Sequence, residues 1–100
     1  MKIETQGTSL RISGLTELNA TNASSFREAI RAALSDSIKT VDVDLSLTRF
    51  LDSSGLGALI ALQRTLAARK AQVRIINPAS TAQQILELTR LHRVFEIVKA

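Results

Sequence analysis

The sequence predicts an α/β fold: a mixed sheet of four to five strands with crossover helices, in the order β-β-α-β-α-β-α-(β). Three observations carry this. Thr40-Val41-Asp42-Val43-Asp44-Leu45 alternates apolar with polar, the period of a half-buried strand. Leu56, Leu59, Ile60, Leu62 and Leu66 then recur at helical spacing. The two periods alternate along the chain after residue 15, which calls for a largely parallel or mixed sheet.

Taken in order, residues 2–6 and 8–13 alternate around Gly7 and predict two short strands joined as a hairpin. Gly14 marks an exit turn, and Leu15 to Ala20 reads as a connector. A helix is expected from about Thr21 to Leu34, because Ala23, Phe26, Ile30, Ala33 and Leu34 share one face. Asn19, Thr21 and Asn22 are all suitable caps for it. A third strand covers roughly Lys39 to Leu45, with Val41, Val43 and Leu45 inward and Asp42 and Asp44 on the other face. Phe50 and Leu51 are expected to turn inward before a second helix from about Ser54 to Lys70. Its Gly55 and Gly57 cost about 1 kcal/mol each relative to alanine. That cost suggests close approach of another backbone or of a partner. Gln72 to Ile76 is a fourth strand, ended by Asn77-Pro78. Ser80 and Gln83 form a capping box for a third helix ending near Thr89 or Arg90, and Phe95 to Val98 is a closing strand.

One hundred residues and no linker or repeat point to one domain over 1–100. There is no cysteine, hence no disulfide framework or thiolate metal site, and one histidine with few clustered carboxylates argues against a metal. No apolar stretch approaches the ~20 residues that span a bilayer, and no secretory h-region is visible, so a cytoplasmic protein that is not integral to the membrane is expected. The net charge is +4. Residues 1–50 balance six basic against six acidic side chains, whereas 51–100 carry seven basic and three acidic. Such an excess suits an acidic partner or an anionic surface, but a solvated basic face is the plainer reading. Nucleic acid is not expected: no Trp or Tyr and only three Phe leave no stacking platform.

The chemistry concentrates at the strand-to-helix junction Thr48-Arg-Phe-Leu-Asp-Ser-Ser-Gly-Leu-Gly57. A serine there can cap the helix, attack a substrate or accept a phosphate. Ser53 or Ser54 with Asp52 and His92 would make a triad only if the histidine reached the serine. Asp52 is placed to cap instead, and Gly-x-Ser-x-Gly is absent, so no enzyme is expected. The phosphate-loop and dinucleotide patterns are also missing, and no cofactor is implied. A helix N-terminus accommodates a phosphate, which would add about −1.5 to −2 charges. From the residues alone a serine cap, worth about 1 kcal/mol, is favoured over phosphorylation.

Asp44-Leu45-Ser46 and Phe50-Leu51-Asp52-Ser53-Ser54-Gly55-Leu56-Gly57-Ala58-Leu59 together resemble the signature of the STAS domain, specifically of bacterial anti-sigma factor antagonists. Weaker likenesses extend over nearly the whole chain. They comprise Gly14 to Asn19, Phe26-Arg27, Val73 to Pro78 and Leu86 to Phe95. The resemblance implies a regulatory switch that acts by protein–protein interaction in transcription. In that family the unphosphorylated form binds an anti-sigma factor and frees the sigma factor. The anti-sigma factor is commonly a serine kinase, and a serine phosphatase reverses the modification. By position the acceptor is Ser53. The implied partner-binding residues are Asn19, Asp52, Ser53, Ser54, Gly55, Leu56 and Gly57. Two residues depart from the pattern: Asn19 replaces the usual aspartate, and Arg90 stands where a glycine often ends the third helix. The rival implied by resemblance is the small cytoplasmic STAS subunit of an ABC-type lipid transport complex, gripping an ATPase subunit.

Overall fold

A computed structural model describes residues 1–100. Strands β1 (Lys2–Gln6) and β2 (Ser9–Ser13) form an antiparallel hairpin. Gly7, at φ +60°, opens its two-residue turn, a conformation that side chains resist. Short strand β3 (Glu17–Leu18) precedes α1 (Ala23–Ala33). Next come β4 (Thr40–Asp44), a second short strand β5 (Phe50–Leu51) and α2 (Ser53–Ala68). The chain closes with β6 (Gln72–Ile76), α3 (Ser80–Leu88), a 3₁₀ turn at Leu91–Arg93 and β7 (Glu96–Val98).

Five strands form one sheet in the order β1-β2-β4-β6-β7, parallel from β2 onward. Each parallel step moves one way across the sheet through one helix. Right-handed crossovers in a constant direction put all three helices on one face. The strand register sorts side chains accordingly. Ile3, Ile12, Val43, Ile75 and Ile97 stand in one row across all five strands and join the core beneath the helices. Leu10, Phe26, Ile30, Leu59, Leu66 and Leu86 fill the rest of it, all but fully buried.

Register also creates the adjacent row on the opposite face: Glu4, Arg11, Asp42, Arg74 and Glu96, alternating in sign from edge to edge. Asp42 accepts two hydrogen bonds from Arg74 at 2.8 Å, and Arg11 reaches diagonally to Asp44 at 2.8 Å. Bidentate bonding to Asp42 raises the Arg74 pKa above its usual value. The Asp42/Asp44 face is thus covered by its own arginines, and Asp42 is only 8% exposed.

Several sequence expectations need correction. The connector at 15–20 contains β3, which pairs in parallel with β5 as a separate two-stranded sheet. Phe50 does not turn inward; it is 66% exposed, and only Leu51 enters the core. In a two-residue strand, alternation forces one of the pair outward. The capping box at Ser80 does not form: Ala79 is the cap position, and the Gln83 amide donates to Glu87. The serines at 53 and 54 do not cap α2 either, as described next.

Candidate functional site

The site is built by two loops zipped together at the carboxyl end of β4. Buried Thr48 donates its hydroxyl to the Leu15 carbonyl at 2.7 Å. The Arg49 N–H donates to Thr16 O, β3 pairs with β5, and the Asp52 N–H reaches Leu18 O. The result is a rigid mount for the entry to α2, the kind of strand-end position where α/β folds hold function.

Asp52 completes the mount. One carboxylate oxygen accepts the Gly55 N–H at 2.9 Å, the N-cap bond of α2. The other accepts the Ala20 N–H at 3.1 Å, clamping the α1 approach to the α2 entry. The Gly55 N–H is the main reason that the Asp52 carboxyl lies below its usual value; desolvation opposes it, and the Ala20 N–H adds to the lowering. Because Asp52 caps, Ser53 and Ser54 occupy the first two helical positions as exposed residues. The triad is not assembled, since both Asp52 oxygens are spent on backbone N–H groups. His92 sits at the far end of α3 instead, with Nδ1 3.4 Å from Leu86 O.

The two glycines of α2 separate. A methyl group on Gly55 would overlap the Leu18 carbonyl, so the close backbone approach is real there, and Gly55 is buried rather than surface-forming. A methyl group on Gly57 would meet nothing within 4 Å. Leu56 is half-buried against the core. The exposed stretch therefore consists of Asp52, Ser53, Ser54 and Gly57.

Asn19 lies beside them, sharing a shallow depression with Glu17, Arg49, Phe50 and Asp52. Its side-chain oxygen accepts from the Thr21 N–H and hydroxyl, and its amide donates to Glu17 at 2.8 Å. An aspartate in its place would keep the first two bonds and repel Glu17, so asparagine here matches its neighbour. The sequence reading missed Phe50 and Leu47, two large apolar side chains exposed on the loop before the serines, at 66% and 59%. Leu47, standing between Ser46 and Thr48, was the available signal.

No helix is long and apolar enough to cross a membrane. No group of three or more His, Cys, Asp or Glu side chains is placed to hold a metal ion.

The fold is similar to that of SpoIIAA, an anti-sigma factor antagonist, in its unphosphorylated form: 22% identity, TM-score 0.85, covering 99% of this chain and 86% of that one. Phosphorylated SpoIIAA from Bacillus gives 22% identity and TM-score 0.78 over 99% and 89% of the two chains. An anti-sigma factor antagonist from Mycobacterium paratuberculosis gives 25% identity and TM-score 0.82 over 96% and 81%. Residues 1–99 match the family described as "Mlab, STAS domain", and the chain belongs to the STAS domain family.

Proposed function

We propose that this chain is a binding module of the anti-sigma factor antagonist type, whose docking is controlled by phosphorylation of Ser53. The observation that carries the reading is the position of Ser53. Its hydroxyl is exposed at the first turn of α2, and the capping it might have done is done by Asp52. A phosphate there lies against the positive end of the helix, so the fold tolerates it, while the surface gains about two negative charges. Around it stand Phe50, a large apolar side chain that β5 turns to solvent, and Gly57, which lowers helix stability without a steric reason. Both features suit a surface that is covered in a complex.

The partner on this reading is an anti-sigma factor with serine kinase activity, and a serine phosphatase resets the switch in the cytoplasm. Asn19, Asp52, Ser53, Ser54 and Gly57 line the docking surface, with Gly55 and Leu56 supporting it from beneath. Incubation with the kinase and ATP should add one phosphate, located at Ser53 by mass spectrometry. Ser53→Ala should still bind the unphosphorylated-state partner, and Ser53→Asp should bind at least tenfold more weakly. Equal affinities of wild type, both variants and the phosphorylated protein would end this reading.

A second reading has one observation in its favour: the matching family is named for Mlab rather than for an anti-sigma factor antagonist. There the chain is the small STAS subunit of an ABC-type lipid transport complex, and the same surface holds the ATPase subunit constitutively. Co-purification separates the two, a kinase-like anti-sigma factor supporting the first and an ABC ATPase the second.

A further inference from the structure

Away from the serine junction, α1 and α2 part over the core to leave a cleft of about 120 Å³. Its floor is Phe26, Ile30 and Leu62, all buried. The gap exists because the α2 wall at this level is Ala61, too small to reach α1. The mouth has a different character. Arg27 and Arg31 stand one turn apart on α1 and line it together with the Glu28 carboxylate. Arg27 has no ion-pair partner, and Arg31 meets only Glu28, at 3.7 Å with both side chains well exposed. An exposed pair of that length contributes little and is readily exchanged. Across the mouth, the Thr65 hydroxyl is committed to Ala61 O, so it does not compete for a ligand.

An apolar interior whose mouth carries two guanidiniums against one carboxylate, a net positive charge, favours an amphiphilic anion. We propose that this cleft binds a free short-chain carboxylate, with its hydrocarbon tail over Phe26, Ile30 and Leu62 and its carboxylate on Arg27 and Arg31. The volume limits the tail to about five carbons, since a larger cavity of roughly 150 Å³ holds the six of a benzene ring. The guanidinium fork matches a carboxylate in geometry and charge. A ligand this small is expected to bind with Kd on the order of 1 mM. The inference is independent of the role given to Ser53.

Sodium hexanoate titrated into the ¹⁵N-labelled chain at constant ionic strength tests it. Expected are saturable amide shifts at Phe26, Ile30 and Leu62, and affinity for 1-hexanol weaker by at least about fivefold. Ala61→Leu should abolish the shifts by filling the cleft. Arg27→Gln with Arg31→Gln, two exposed changes that leave the core intact, should bring hexanoate down to the hexanol level. Shifts that rise without saturating, equal affinity for acid and alcohol in the wild type, or undiminished binding by the arginine double variant would each overturn the proposal.

Discussion

Asp52 does two jobs with two oxygens, and its variants can separate them. Asparagine still offers an oxygen to the Gly55 N–H but turns an N–H₂ toward the Ala20 N–H; alanine loses both bonds. Thermal unfolding at neutral pH should therefore rank wild type above Asp52→Asn, and Asp52→Ala last. A carboxylate whose pKa is depressed by folding stabilises the protein above its unfolded value, here the usual 3.8, and loses that effect as pH falls through the folded value. The gap between wild type and Asp52→Ala should accordingly narrow as pH falls below 3.8. Arg90 is the converse case, a residue at odds with its backbone. It sits at φ +60° after α3, a left-handed conformation that costs a side-chain-bearing residue about 1 kcal/mol relative to glycine. Arg90→Gly should raise Tm by roughly 4–8 °C, which differential scanning calorimetry would read.

At the scale of the element, α2 shows what periodicity can and cannot reveal. Its apolar face and entry were legible because Leu59, Leu62 and Leu66 repeat at helical spacing and three capping residue types precede them. Which of those three caps was not legible, since Asp52, Ser53 and Ser54 differ by one position and only the backbone angles decide. Asp52, extended at φ −110° and ψ −173°, takes the role. The strands β3 and β5 were invisible for a related reason: two residues make no period. The glycines look alike in sequence yet should respond oppositely. Gly57→Ala gains about 1 kcal/mol of helix propensity at no steric cost. Gly55→Ala must push α2 off the Leu18 carbonyl and should cost on the order of 1–3 kcal/mol or prevent folding. Urea unfolding of the two variants checks both signs. Weaker partner binding by the more stable Gly57→Ala would support the proposed place of that residue in the docking surface.

Across the whole molecule, the sheet divides the work. One face is roofed by helices over an apolar row, the other closes itself with alternating charges, and the proposed docking surface is left to the loops at the strand ends. The apolar row could be foreseen strand by strand. The charged row could not, because Glu4, Arg11, Asp42, Arg74 and Glu96 meet only when the register between strands is known. Asp42 is its keystone, the most buried member, flanked by Arg11 and Arg74. Removing it leaves two guanidiniums facing each other across one strand, so Asp42→Ala should cost about 2–3 kcal/mol in urea unfolding. Asp44→Ala, losing the single bond from Arg11, should cost less. If the penalty arises from unpaired charge rather than from a need for the ion pair, replacing both partners should restore most of the stability. Asp42→Leu combined with Arg74→Met leaves Arg11 its bond to Asp44 and strands no charge at the centre. That double variant should unfold closer to wild type than Asp42→Ala does; equal or greater loss would mean that the bidentate pair itself holds β4 to β6.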